Sequence, residues 1–338
     1  MGDLLLEKSG GGEKTLVGCV VLYDLPIKAV CSNFVARMPL SKGMDSRFWS
    51  YAYASLYAGR MTYPSIKQTT GIQNLDSQAY LCEKIGFPPF SEQQAIAAFL
   101  DYETSRIDTL IGKKKKLVEL LKEKRTALIS RAVTKGLDAS VKMKPSGVEW
   151  LGEVPEHWGV KKLKWVYQNI GSGDGISPDD IEPFGTYPVY GGNGIMGYTE
   201  KYNSTGEDII IGRVGAKCGN IYLIDGNKWI SDNALNLKIK RLQKKYLALL
   251  LEERNLNQLA NQNAQPLITG SMVGNQFIPL PPLPEQQAIA AFLDRETAKI
   301  DTLVSKVETA IEKLKEYRTA LISAAVTGKI DVRKEVAV

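Results

Sequence analysis

Two stretches of the chain place apolar residues at alternating steps of four and three. The first runs Ile96, Leu100, Ile107, Leu110, Leu117, Leu121 and Leu128, with Glu103, Lys114 and Lys124 at the intervening seam positions. The second runs Ile289, Leu293, Ile300, Leu303, Val307, Ala310, Leu314, Tyr317 and Leu321, interrupted by Glu296. This spacing predicts two long helices, each with one apolar seam. At about 1.5 Å per residue, a helix of that length is about 65 Å long and cannot bury its seam alone. The two are expected to pair with each other, antiparallel, because a globular segment must fold back between them. Glu103 and Glu296 are expected to set register or meet a partner. Pro89 and Pro284 mark the helix starts, and Ser91 is a candidate cap.

The two helices are copies. Glu92–Thr134 returns as Glu285–Thr327, with 30 of 43 positions identical and no gap. A repeat offset of 193 residues is too long for a solenoid. It indicates a duplicated module with a constant helical part and a divergent globular part.

The globular part of the second copy, from about Gly159 to Leu283, alternates short β-like runs with Gly/Asn turns: Tyr187–Tyr190, Asp208–Ile211, Asn220–Ile224 and Leu235–Ile239. A helix-like segment follows from Lys244. The first globular part shares landmarks with it. Asp3–Leu6 matches Asp208–Ile211, Gly18 matches Gly219, Asn33 matches Asn233, Thr69–Ile72 resembles Ile268–Ser271, and FPPFSEQQ matches LPPLPEQQ. Nothing in it corresponds to Gly159–Gly206. The first module therefore reads as the C-terminal part of a domain lacking its first ~50 residues.

Composition narrows the function. With 43 Lys+Arg against 37 Asp+Glu the formal charge is +6, compatible with a polyanionic partner. Cys19, Cys31, Cys82 and Cys218 form no CxxC pair and His157 is the one histidine, so neither a metal site nor a cofactor is expected. There is no apolar run of membrane-spanning length and no secretion signal, so a cytoplasmic protein is expected. Catalytic motifs are missing too. No Asp or Glu has lysine two positions later, as a PD-(D/E)xK nuclease requires. The two Pro-Pro pairs follow Phe87 and Leu280, not the Asn or Asp of an amino-methyltransferase. Gly10–Thr15 lacks the ending and spacing of a phosphate loop.

EQQAIAAFLDxETxxIDTL, RTALIxxAVTKG and the junction SGVEWLGEVPEHW at 146–158 together resemble the specificity (S) subunits of type I restriction-modification systems. The resemblance covers nearly the whole chain. It implies an α+β fold: target recognition domains joined to two long helices paired as an antiparallel coiled coil. The expected organisation is the truncated C-terminal part of a first recognition domain over 1–90, a conserved helix over 91–137, a connector over 138–158, a second recognition domain over 159–283, and a second helix with its tail over 284–338. The implied function is sequence-specific reading of a bipartite target in double-stranded DNA, with phage defence as the setting and the truncation putting one half-site in question here. Methyltransferase (M) subunits would dock on the helices, and the restriction/translocase (R) subunit would join through that complex. The chain itself would not be an enzyme. The alternative is a scaffold fragment that holds the methyltransferase subunits without reading a defined site.

Base reading needs paired donors and acceptors, and phosphate holding needs Lys, Ser, Thr or backbone amides. In the second module such groups lie on Gly-rich loops. Candidate DNA contacts are Tyr190, Asn193 and Tyr198 in YGGNGIMGY, Arg213 and Lys217 in GRVGAKCGN, Ser231 and Asn233 in ISDNALN, and Gln265, Thr269 and Ser271 in QPLITGS. Tyr190 and Tyr198 also suit a core, and Asn233 and Thr269, with counterparts in the first module, suit structural caps. Lys113–Lys116 could follow phosphates or form a solvated helix face.

Overall fold

The computed structural model describes the chain except for residues 1, 12–14, 70, 216, 261–265 and 333–338. It divides into two compact units: residues 1–119 with 304–338, and residues 120–303.

The first unit is built on β1 (Asp3–Glu7), paired antiparallel with β2 (Val20–Tyr23) on one side and β3 (Val35–Met38) on the other. Leu4 and Leu6 alternate inward onto α1 (Ser46–Ala58), where they meet Phe48, Trp49 and Ala52. Asp45 caps α1 by accepting from the Arg47 and Phe48 amides at 3.0 Å. A short helix, α2 (Ser77–Leu81), lodges Tyr80 in the same core, and α3 (Phe90–Lys135) begins directly after Pro89.

The second unit contains β4 (Gly159–Lys162), β5 (Tyr167–Ser172), β6 (Tyr187–Gly191), β7 (Gly194–Thr199), β8 (Asp208–Gly212), β9 (Ile221–Ile224) and β10 (Ala234–Ile239). Helices α4 (Lys244–Arg254) and α5 (Gly270–Gly274), strand β11 (Phe277–Leu280) and helix α6 (Leu283–Val326) follow. The main sheet has the order β5-β10-β8-β9. A smaller sheet pairs β6 with β7 and with Trp229–Ile230, and β11 pairs with β4. The run Ile209–Ile211 is apolar throughout because β8 is buried on both faces. Ile209 and Ile211 face the main core with Leu247 and Leu251, while Ile210 packs with Tyr190, Ile230 and Ala234.

The units repeat each other in strand register. β1 holds β2 and β3 as β8 holds β9 and β10: Leu4 lies opposite Leu22 and Met38, and Ile209 lies opposite Leu223 and Leu237. This register pairs Phe34 with Asn233: Lys8 donates to the Phe34 carbonyl as Arg213 donates to that of Asn233. The expected match of Asn33 to Asn233 is therefore one residue off. α5 is capped by Thr269, whose counterpart 193 residues earlier is Asp76, the cap of α2. The Thr69–Ile72 match fails for that reason; its Thr70 lies outside the described residues.

Both long helices form, and in each unit they run antiparallel. In the first, Asp108 takes a two-pronged ion pair from Arg318 (3.0 and 3.2 Å). In the second, Asp301 accepts from Arg125 at 3.0 Å. These are one interaction seen twice, since both members shift by 193 residues. The seam differs from the expected one at alternate positions. Ile107, Leu121, Val307 and Leu314 face inward as expected, but Ile111, Val118 and Ile311 are buried in place of Leu110, Leu117 and Ala310. Leu110 and its copy Leu303 are equally exposed, at 43% and 44%. Glu103 and Glu296 lie beside the seam, ion-paired to Arg106 and to Arg295 and Lys299 on their own helices. Register falls instead to the Arg–Asp pairs. Ser91 is inside the first turn of α3 and caps nothing there.

A buried glutamine joins each globular part to its helix. Gln286 accepts from the Gln243 amide (3.0 Å) and donates to the Pro281 carbonyl (2.9 Å); Gln93 does the same with Asp45 (2.9 Å) and Pro88 (2.9 Å). Gln286→Ala and Gln93→Ala are each expected to cost about 1–3 kcal/mol, because each orphans a part-buried amide and a carbonyl. Thermal melts check this against Gln287→Ala and Gln94→Ala, exposed neighbours that should leave the midpoint in place.

Candidate nucleic-acid interface

Four loops of the second unit meet at one end of its main sheet. Their backbones are tied together: Arg213 N–H donates to Asn233 O (3.0 Å), Ile268 N–H to Arg213 O (2.9 Å), Gly215 N–H to Pro266 O (3.1 Å) and Ser231 N–H to Tyr190 O (2.9 Å). Two glycines make this approach possible. A Cβ on Gly192 would fall 2.4 Å from the Val214 carbonyl oxygen, and one on Gly212 would fall 2.4 Å from that of Gly192. The Gly-rich sequence in these loops thus reflects backbone packed against backbone.

The candidate side chains separate by position. Asn193 is exposed in the turn between β6 and β7, and Lys217 is exposed on the loop after β8. Arg213 is half-buried; its Nη1 donates to the Asp232 carbonyl at 2.9 Å, which aims the guanidinium and leaves other N–H donors available. Asn233 is half-buried beside it, and Tyr198 is half-buried on β7. Ser271 is exposed on α5.

Three candidates have structural duties. Tyr190 is in the core beside Ile210 and Ile230, and burial pushes its phenol above the ordinary range. Ser231 is buried, and its hydroxyl accepts from the Asn233 amide (3.3 Å), shaping the loop. Thr269 caps α5 by accepting from the Met272 amide (3.3 Å). Gln265 lies outside the described residues. On α3, Lys113, Lys115 and Lys116 are exposed, with Lys116 paired to Glu119 at 3.1 Å.

A second basic surface of this unit escaped the loop-centred reading. Lys161, Lys162 and Lys164 line a shallow groove with Trp165 and Phe277. The Lys162 ammonium lies 5.3 Å from the Phe277 ring centroid, and that of Lys164 lies 5.5 Å from Trp165, which is 72% exposed. Cations flanking an exposed flat ring suit a sugar-phosphate backbone. The signal was the run KKLKW at 161–165, absorbed into the junction pattern when read as sequence.

Among the described residues, no group of His, Cys, Asp and Glu is placed to hold a metal ion, and no helix is long and apolar enough to cross a membrane. Burial pushes the Cys218 thiol up.

Comparison with known proteins places this geometry. Residues 155–313 match the family model described as type I restriction modification DNA specificity domain. The chain is 31% identical over 162 residues to the EcoprrI specificity subunit of Escherichia coli, covering 46% of this chain and 39% of that one. It is 28% identical to the MjaVIII specificity subunit of Methanocaldococcus jannaschii, over 98% of this chain and 79% of that one. A solved chain from a study of complex assembly and conformational transition in the type I R-M system superposes with a TM-score of 0.77 at 19% identity. That match covers 97% of this chain and 82% of the other.

Proposed function

Because the chain belongs to the family of type I restriction-modification specificity subunits, we propose that it is the DNA-reading, non-catalytic subunit of such a complex. The second unit reads one half of a bipartite duplex target. The paired helices hold the methyltransferase subunits and, through them, the nuclease-translocase subunit. The observation that carries this reading is the convergence of four loops, three of which present Asn193, Arg213 with Lys217, and Asn233 at one end of the sheet. An arginine held by one hydrogen bond keeps a fork of donors that suits the two acceptors of guanine, and asparagine suits adenine. Lysine supplies a phosphate contact without base preference.

Arg213→Ala is expected to weaken binding to the preferred duplex by about 1–3 kcal/mol while leaving a scrambled duplex nearly unaffected. Lys217→Ala should weaken both alike and flatten the salt dependence. Binding isotherms at fixed salt, with the methyltransferase subunits present, decide between these outcomes. Equal losses on both duplexes for Arg213→Ala would reduce it to a backbone contact. A chain with no duplex preference at all would be a scaffold and not a reader.

A further inference from the structure

The groove of Lys161, Lys162, Lys164, Trp165 and Phe277 differs in charge from the rest of the second unit. No acidic residue lines it, and among the described residues none of its three lysines is ion-paired. Other lysines of the unit do meet carboxylates: Lys142 meets Glu156, Lys201 meets Asp180, Lys244 meets Glu207 and Lys245 meets Asp294. The groove thus carries positive charge that no group of the chain neutralises, beside an exposed ring. That combination suits a polyanion with flat or apolar edges between its charges.

Its walls are fixed by the backbone. The pairing of β4 with β11 sets Lys162 opposite Phe277. Leu163 is fully buried and donates its N–H to the Gln276 carbonyl at 2.8 Å, while Lys164 and Trp165 after it stand in solvent. Helix α5 links the groove to the converging loops. Its cap, Thr269, follows Ile268, whose N–H is bonded to the Arg213 carbonyl. Its last residue, Gly274, abuts the groove: a Cβ there would fall 3.1 Å from the Tyr167 hydroxyl oxygen and 3.5 Å from Lys164 Cβ. Five helical residues span about 7.5 Å at about 1.5 Å each, roughly two base pairs of duplex rise.

We propose that this groove is a second DNA contact, holding the sugar-phosphate backbone of the duplex that flanks the half-site, on the far side of α5 from Arg213. Lys162 and Lys164 take phosphates, and Trp165 packs against the sugar edge. The contact adds affinity without base preference, because phosphates are the same in every sequence. It rests on the DNA-reading function and deepens it: the loops choose the sequence, and the groove holds whatever sequence lies beside it.

Binding of the full chain, with the methyltransferase subunits present, is measured on the preferred duplex in two lengths. One ends about two base pairs beyond the half-site, and the other continues for about ten more on each side. The longer duplex should bind at least about five-fold tighter. Lys162→Ala with Lys164→Ala should remove that gain and lower the slope of log K against log salt by about two. Lys162→Arg with Lys164→Arg should restore both, and the ratio of preferred to scrambled affinity should stay that of the unaltered chain throughout. A length gain and a slope indifferent to the alanine pair overturn the proposal. Loss of the preferred-to-scrambled ratio in the alanine pair also overturns it, by placing the groove within the half-site. Release of the methyltransferase subunits with DNA binding unchanged overturns it too, and makes an acidic polypeptide the occupant. Failure of the DNA-reading function has a different signature: the unaltered chain shows no preference, and Arg213→Ala changes nothing.

Discussion

Asp208→Ala is expected to destabilise the second unit by about 3–5 kcal/mol, the cost of leaving a buried cation unpaired. The Asp208 carboxylate is 2% exposed and lies 3.0 Å from the ammonium of Lys228, which has no exposure at all. Lys228 also donates to the carbonyls of Gly206 and Gly226, Lys238 donates to Asp208, and the Ser204 hydroxyl donates to it at 2.5 Å. Removing the carboxylate removes the one buried anion in this network. Urea denaturation followed by tryptophan fluorescence measures the loss, since Trp150, Trp158, Trp165 and Trp229 all lie in this unit. A cost below about 1 kcal/mol would mean the pair contributes nothing net. Replacing Asp208 and Lys228 together by Leu and Met should cost much less than Asp208→Ala alone, because no charge is then stranded.

The same network sets a pH dependence. Burial raises the Asp208 carboxyl, but hydrogen bonds from Lys238, Ser204 and Lys228 outweigh it and hold the folded value below the ordinary one. A depressed carboxyl stabilises the fold fully above the unfolded pKa of about 3.9 and loses that contribution as pH falls through the folded value. Unfolding free energy attributable to Asp208 should therefore be flat near neutrality and decline below about pH 4. The decline should be shallower in Asp208→Ala.

Trp158→Ala is expected to cost about 3–5 kcal/mol through the cavity it leaves. The indole is 1% exposed in the main core, and its N–H donates to Glu285 on α6. It also lies over Gly136, where a Cβ would sit 3.2 Å from the ring. One side chain thus ties the end of α3, the connector and the start of α6 together within this unit. Trp158→Phe keeps much of the packing and loses the N–H, so it should cost about 1–2 kcal/mol. Circular dichroism melts avoid the loss of a fluorophore. Equal costs for Ala and Phe would assign the effect to the hydrogen bond and not to packing.

Much of this architecture is written in local pattern. Steps of four and three made α3 and α6 helical and gave them one seam, and the repeat of Glu92–Thr134 announced a second copy. The phase of that seam was only half legible. Leu110 and Ile111 are adjacent and both apolar, and a shift of one residue is about 100° around a helix, so the neighbouring helix decides which one turns inward. Ile111 is buried and Leu110 is not. The polar register residues were missed for the same reason, since Arg125 and Asp301 are 176 positions apart and only antiparallel packing brings them together.

In the four converging loops, sequence supplied residue types, and tertiary structure supplied their faces. YGGNG and ISDNALN both contain groups able to meet DNA, yet Tyr190 and Ser231 are consumed by the core and the loop, while Asn193 stands in solvent. Their fates depend on Ile210 and Met196, residues brought alongside by strand pairing and not by sequence proximity. By itself, then, the sequence determined the helical modules, their duplication and the Gly-rich loops, because periodicity and backbone freedom are properties of neighbours along the chain. Only the tertiary structure decided which seam residues are buried and which loop side chains face outward, because each of these depends on partners far apart in sequence.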